Sequence, residues 1–154
     1  MRLRSLAPAA LLLAACAAHR IPGTEIADTE DNRAVMAVVQ AYSDGLQRRD
    51  AAALLALASP EYFDNGGTAD PSDDLDFARL EQTLPADLGR LESLRVQIQV
   101  RNIIIEKEVA VVELWSDGWY RIQTPQGVVP RRDQDLHRMR LARRDGAWKI
   151  VAGM

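Results

Sequence analysis

The chain has 154 residues, of which 47% are hydrophobic and 27% charged, a composition typical of one globular domain. Its formal net charge is −3 and becomes −5 if the segment that carries Arg2 and Arg4 is removed. This charge excludes a global basic field, so no nucleic-acid partner is expected. Cys16 is the only cysteine, which excludes an intramolecular disulfide and a cysteine-based metal site.

The first 15 residues predict a cleavable export signal. A basic start is followed by an apolar run of about ten residues, which is too short to span a bilayer of about 30 Å as a helix. The run ends in Leu13-Ala14-Ala15-Cys16, which resembles the bacterial lipobox. We therefore expect cleavage between Ala15 and Cys16 and lipidation of the Cys16 thiol, including palmitate. The alternative is an ordinary signal with a chance cysteine.

Lipidation predicts where the mature protein is located. Several acyl chains on Cys16 would hold it firmly to a membrane, whereas one chain binds only marginally. The residue after the cysteine is Ala17 and not Asp, and the resemblance therefore implies the outer membrane, facing the periplasm. Residues 16–28 contain Pro22-Gly23 and no hydrophobic period, so they are predicted to form a flexible tether.

Helices are predicted at the start of the domain. Residues 29–48 carry an apolar stripe at helical spacing, with acidic residues near the start, where the helix dipole favours them. Asp50 predicts the N-cap of a second, short helix over residues 51–58.

Acidic residues cluster after the second predicted helix. Asp73 or Asp74 is expected to cap a third helix, which Pro85 ends. The cluster, which also includes Asp70 and Asp76, lacks the arrangement of an EF-hand loop. Helix capping and solvation therefore explain these carboxylates better than a metal ion.

The hydrophobic period changes from helical to two after Gly89. Residues 94–100 alternate apolar and polar side chains and predict a half-buried strand. The alternation fails at residues 102–105, which indicates a bulge or a stretch buried on both faces. Because the strands follow the helices, the order indicates an α+β fold. Three more strands are predicted, over residues 109–124, 131–144 and 147–152.

Two segments are similar to a known fold family. One is the first predicted helix with the junction QRRDAAALL at residues 47–55, and the other is RRDGAWKI at residues 143–150. In this order they resemble the NTF2-like superfamily of SnoaL-like and related small proteins, over residues 29–154. The resemblance implies a cone of three N-terminal helices packed in a strongly curved antiparallel sheet. It also implies a pocket at the open end and frequent dimerisation through the outer face of the sheet.

The candidate chemistry lies on the strand over residues 131–144. If Met139 faces the core, Asp135 and His137 face the same interior, where the carboxylate could orient the imidazole for general-base work. Tyr120 of the preceding strand could donate a hydrogen bond into this pocket. The alternatives are a polar rim and a core tyrosine. The predicted pocket residues, for a small apolar ligand, are Tyr62, Tyr120, Asp133, Asp135, His137 and Met139.

Trp115 and Trp119 are predicted on the other face of the strand over residues 109–124. Tryptophan on the outside of a sheet is typical of an interface, so these residues predict a homodimer surface. The alternative is that a kink at Gly118 turns one of them inward.

We expect the domain to be a binding module for a small ligand or a protein. The alternatives are an isomerase, dehydratase or cyclase that uses Asp135 and His137, and a structural protein of the envelope. The chain has two histidines, and His19 lies in the predicted tether, which excludes a multi-histidine metal site. The mature chain has no P-loop or dinucleotide-binding motif, so no cofactor is expected.

Overall fold

A computed structural model describes residues 19–154. The predicted signal, its cleavage site and Cys16 lie outside the described residues. The described chain folds as three helices and six strands in an α+β arrangement. The elements are α1 (Glu30–Arg48), α2 (Ala51–Leu57), β1 (Phe63–Asp64), β2 (Leu75–Asp76), α3 (Phe77–Gly89), β3 (Leu91–Glu106), β4 (Val109–Thr124), β5 (Gly127–Arg144) and β6 (Ala147–Ala152).

The second helix begins at the predicted residue, and the first begins one residue later than predicted, at Glu30. The Thr29 hydroxyl accepts a hydrogen bond from the backbone N–H of Asn32 at 3.1 Å and caps α1. Asp50 Oδ1 accepts from the backbone N–H of Ala53 at 2.9 Å and caps α2. Each cap satisfies a backbone donor that the helix leaves unpaired. No helix within residues 19–154 is both long enough and apolar enough to cross a membrane.

The prediction for the third helix was wrong at both ends. Its cap is Asp76, which accepts from the N–H of Arg79 at 2.8 Å, because the hairpin of β1 and β2 occupies the chain up to that residue. Asp73 instead accepts a hydrogen bond from the Thr68 hydroxyl within the loop, whose oxygen lies 3.0 and 2.8 Å from the two carboxylate oxygens. Pro85 lies inside α3, which continues to bury Leu88 in the core. That burial offsets the backbone hydrogen bond that a proline cannot make.

The large sheet is an antiparallel meander in the order β3-β4-β5-β6. The strands β4 and β5 pair from Val109↔Ala142 to Thr124↔Gly127 without a register shift. The β3–β4 ladder shifts between Val100 and Asn102, which confirms the bulge predicted where the alternation fails.

The core lies between the helices and the concave face of this sheet. The helices contribute Val35 and Leu54, whose side chains are fully buried. Each fully buried aliphatic side chain contributes roughly 1.5–3 kcal/mol. The result is the predicted α+β cone of helices packed in a curved sheet. The fully buried apolar residues of the sheet are Ala110, Val112, Leu114, Met139, Leu141 and Ile150.

The described part of the predicted tether is folded. The backbone N–H of Ile21 donates to the carbonyl of Ile26 at 2.9 Å, and that of Asp28 donates to the carbonyl of His19 at 2.7 Å. The Thr24 hydroxyl closes the turn by donating to the Ile21 carbonyl at 2.9 Å, and Ile26 is only 5% exposed. Pro-Gly therefore marks a hairpin turn whose Ile26 side chain is buried on the domain.

Candidate functional site

The predicted Asp135–His137 pair lies where the concave face of the sheet leaves the core. His137 is opposite the buried Leu114 on β4, and Asp135 is opposite Ser116. Asp135 Oδ2 lies 3.3 Å from His137 Nδ1, with the side chains 66% and 28% exposed, respectively. The buried Nδ1 makes no hydrogen bond to any described residue, so the carboxylate contacts the ring without fixing its tautomer.

Tyr120 does not join this pair. It is opposite Arg131, four positions along β4 from Ser116, which is about 13 Å of strand. Tyr120 instead lines a separate depression of about 280 Å³ with Leu94 and Pro130. A general base at His137 and a hydrogen-bond donor at Tyr120 are therefore not aimed at one reacting atom in this conformation.

The remaining predicted pocket residues lie in different environments. Tyr62 and Met139 are buried in the core, at 2% and 0% exposure. The Tyr62 hydroxyl accepts a hydrogen bond from the backbone N–H of Met154 at 3.2 Å, and burial raises the pKa of Tyr62. Asp133 is exposed, opposite Gly118. The six predicted residues thus divide between the core and the rim of the sheet.

A groove of about 750 Å³ lies between α1 and β3, where no site is predicted. Met36, Gln40 and Ser43 line it from α1, residues 98–101 line it from β3, and residues 23–25 form a third wall. The spacing of the α1 residues places them on one helical face, which the sequence does show. The walls from β3 and the N-terminal turn depend on tertiary packing.

The outer face of the sheet carries both predicted interface tryptophans. Trp115, Asp117 and Trp119 alternate along β4 with the core-facing side chains, and both rings are partly buried. Because β4 pairs with β5 without a shift through Gly118, no kink turns either ring inward. On β5, Leu136 lies opposite Trp115 and is 68% exposed.

A charged network organises this face between the tryptophans. Asp117 is 4% exposed and accepts from Arg132 Nη2 at 2.8 Å and from Gln134 Nε2 at 2.9 Å. The Arg132 guanidinium beside it holds the pKa of the Asp117 carboxyl below its usual value. Arg132 also lies over the Trp119 ring, 4.7 Å from its centroid. This cation–π contact fixes the guanidinium from a second side.

Among residues 19–154, no group of three or more His, Cys, Asp or Glu side chains is placed to hold a metal ion. The Asp70–Asp76 loop satisfies its carboxylates locally: Asp70 Oδ1 accepts from the Ser72 N–H at 2.9 Å, and Thr68 donates to Asp73.

Solved structures resemble this chain in fold. No protein-family model matches the sequence, and no curated protein is significantly similar to it. A proposed dehydratase of the NTF2-like family from Streptomyces avermitilis superposes with a TM-score of 0.65 at 11% identity, over 79% of this chain and 92% of the other. A ketosteroid isomerase-like protein from Erwinia carotovora atroseptica superposes at 0.64 with 16% identity, over 80% and 93%.

A third structure, a proposed aromatic ring hydroxylase from Novosphingobium aromaticivorans, superposes at a TM-score of 0.62 and 15% identity. It matches 80% of this chain and 85% of the other. The three structures carry different descriptions and are at most 16% identical to this chain, so the similarity is one of architecture. The helices and curved sheet of this chain have the NTF2-like fold.

Proposed function

We propose that this protein is a lipid-anchored binding module of the cell envelope and that it binds a second copy of itself through the outer face of its sheet. The observation that carries the proposal is the set of apolar side chains on that face. Leu136 is 68% exposed and lies opposite the partly buried Trp115, and Trp119 follows on the same side of β4. Aromatic and aliphatic side chains grouped in this way are typical of protein interfaces.

The charges on the outer face support burial against a partner. Arg132 pairs with Asp117, and Arg138 pairs with Glu113 at 3.2 Å. Each acidic group thus already has its counter-ion within the protomer. Burying an unpaired charge at an interface is costly, and a partner that covers this face would bury each carboxylate together with its arginine.

Sedimentation velocity on the mature chain carrying Cys16→Ser tests the dimer. Leu136→Glu places a charge at the centre of the proposed contact, and we expect it to shift the protein to monomer. Val128→Glu is the matched control, because Val128 is also an exposed aliphatic residue of β5 but lies at the strand's start. A parent protein that is monomeric at all concentrations, or equal effects of both variants, would contradict the proposal.

The lipid anchor rests on the sequence Leu13-Ala14-Ala15-Cys16 after an apolar run of signal length. Diacylglycerol on the Cys16 thiol and an acyl chain on the new amino terminus would attach the domain to the membrane, and Ala17 favours the outer membrane. Intact mass of the protein from membranes checks this, because the lipids add mass that Cys16→Ser removes. Globomycin should block processing of the parent chain only. An unmodified thiol on the exported protein would disprove the anchor.

A second candidate function is an isomerase- or dehydratase-type enzyme. The specific observation in its favour is the 3.3 Å contact between Asp135 Oδ2 and His137 Nδ1 at the mouth of the cone. Chemical-shift mapping with small apolar carbonyl compounds tests it. We expect shifts at His137 that Asp135→Asn alters and the neighbouring rim variant Asp133→Asn does not. If no compound shifts the His137 signals, the enzyme candidate is rejected and the pair is a polar rim of the sheet.

A further inference from the structure

The described chain begins at the same end of the domain as the β3–β4 turn. The Asp28 N–H donates to the His19 carbonyl at 2.7 Å, so His19 lies beside the start of α1. Asp31, in the first turn of α1, pairs with Arg143, and the Arg143 N–H donates to the carbonyl of Glu108 in the β3–β4 turn at 2.8 Å. These contacts link His19, the start of α1 and the β3–β4 turn.

A second contact supports the same placement. The residues at the start of α1, from Thr29 to Asn32, share a depression of about 560 Å³ with Ile103 and Ile105 near the end of β3. At its other end, α1 approaches the start of β3, where Arg49 donates to the carbonyl of Leu91. The helix therefore runs antiparallel to β3, and its first turn is fixed at the β3–β4 end.

This end of the domain is apolar on its outer side. Ile104 is 49% exposed and Val109 is 37% exposed. Together with Val111 they line a shallow depression of about 580 Å³, which is bordered by two basic residues, Lys107 and Arg138, and two acidic residues, Glu106 and Glu113. Exposed aliphatic side chains beside a lysine, whose stem can lie along apolar surface while its ammonium stays in water, suit the boundary between lipid headgroups and acyl chains.

The length of chain between the anchor and the fold limits where the membrane lies. If Cys16 carries lipid, three peptide units separate it from His19, and they span at most about 11 Å. The opposite end of the sheet, the β4–β5 turn at Gln126, is about 50 Å of strand away. Residues 19–28 are held to the domain by the buried Ile26 and by the hydrogen bond from Asn32 Nδ2 to the Ala27 carbonyl, so the short link to Cys16 starts from this end of the fold.

We propose that Ile104, Val109 and Val111 form a membrane-contact patch that rests on the bilayer surface and turns the mouth of the cone toward the periplasm. The proposal rests on the lipid anchor of the proposed function. It adds an orientation: Tyr120 and Asp133, near the β4–β5 end, face away from the membrane and are accessible to partners in solution.

Site-directed fluorescence on lipidated protein in vesicles tests the orientation. Since Cys16 is the only cysteine and the lipid occupies its thiol, Glu106→Cys and Gln126→Cys each introduce a single reactive thiol. Both residues are exposed and lie at opposite ends of the sheet. The vesicles contain phosphatidylethanolamine and phosphatidylglycerol, with a nitroxide on a fraction of the headgroups. We expect several-fold stronger quenching of a label at 106 than at 126.

Two matched variants test whether the patch makes the contact. Val109 and Val128 are 37% and 39% exposed, and they lie at the β3–β4 end and the β4–β5 end. In chains labelled at position 106, Val109→Asp should reduce the quenching several-fold, and Val128→Asp should leave it unchanged. Quenching that is insensitive to Val109→Asp would overturn the patch.

Failure of the orientation and failure of the anchor give different results. Intact mass shows directly whether the protein in the vesicles carries lipid on Cys16. A lipidated protein with equal quenching at both positions, or stronger quenching at 126, overturns the orientation and leaves the anchor in place. A free Cys16 thiol overturns both.

Discussion

Arg132 donates two hydrogen bonds to Asp117 across the outer face of the sheet, from Nε to Oδ1 at 3.0 Å and from Nη2 to Oδ2 at 2.8 Å. This bidentate pair holds a carboxylate that is 4% exposed on the side of the sheet away from the core. Arg132 also lies over Trp119, so the ion pair and the aromatic ring form one preorganised surface. The proposed interface therefore needs little rearrangement to accept a partner.

Acid should weaken the fold through Asp117. Arg132 holds the pKa of this carboxyl in the folded protein below its usual value of 3.8. A carboxyl whose pKa is lowered on folding stabilises the protein above its ordinary pKa, and this contribution is lost as the pH falls through the lower, folded-state value. We therefore expect Asp117→Asn to unfold at lower urea concentration at neutral pH and to lose less additional stability in acid than the parent.

Asp133→Asn is the control for this pH series. Asp133 is also acidic and close to the outer-face network in sequence, but it is exposed on the concave side of β5. Its replacement should leave the pH dependence of the urea midpoint parallel to that of the parent. Identical pH profiles for the parent and Asp117→Asn would show that the pair does not couple protonation to folding.

Local chemistry explains which parts of the fold can be predicted. Asp50 caps α2 as predicted. An aspartate directly before an apolar helical stretch can accept a hydrogen bond from the unpaired backbone N–H groups of the first helical turn, and here it accepts from Ala53. The cap of α3 was predicted among Asp73 and Asp74, but it is Asp76. The start of α3 is set by the pairing of β1 with β2. This pairing joins residues 63–64 to residues 75–76, and no local sequence pattern indicates it.

The candidate site is less predictable for a geometric reason. Alternation along one strand correctly places Asp135 and His137 on the same face, and Trp115 with Trp119 on the other. Alternation does not show how far along the strand the helices cover that face. It therefore cannot show that Tyr120 lies in a different depression from Asp135 and His137. The groove beside Ser43 is formed by residues 23–25 and α1 together with residues 98–101 of β3, which lie more than 50 positions later in the sequence and meet them only in the folded chain.

The N-cap of α2 should contribute measurably to stability. Asp50 Oδ1 accepts from the Ala53 N–H at 2.9 Å, and Asp50→Ala leaves that donor without its partner. We expect a loss of about 1 kcal/mol in the free energy of unfolding by urea. Asp50→Asn retains a carbonyl oxygen at the same position and should lose much less. Equal losses in both variants would mean that the charge, and not the cap, stabilises this end of the helix.

Close contact between α1 and α2 depends on a glycine. A Cβ atom at Gly45 would lie 2.9 Å from Leu54 Cδ2, and Leu54 is fully buried. Gly45→Val should therefore cost about 1–3 kcal/mol of unfolding free energy through overpacking. Gly89→Val is the control, since a Cβ atom at this other helical glycine meets nothing within 4 Å.

A double-mutant cycle shows whether the Gly45 effect acts through Leu54. Leu54→Ala alone should cost about 2–5 kcal/mol, because it opens a cavity in the core. Combined with Gly45→Val, it makes room for the added side chain, so the double variant should lose less stability than the sum of the single variants. Additive losses in urea unfolding would place the cost of Gly45→Val elsewhere, in the conformation of the helix itself.

Alkaline titration should identify the buried tyrosine of α1. Burial, with a smaller contribution from the nearby Tyr62, raises the pKa of Tyr42 to about 12. Since the ordinary pKa of tyrosine is 10.0 and burial favours the neutral phenol in the fold, the stability that this gives is complete below pH 10 and should be lost as the pH rises through about 12. Tyrosinate absorbance should show a last ionisation step near that pH.

Tyr42→Phe should remove this step and resist alkaline unfolding better than the parent, whereas Tyr120→Phe should retain the step. If the last step survives in Tyr42→Phe, then Tyr42 is not the tyrosine whose burial resists ionisation.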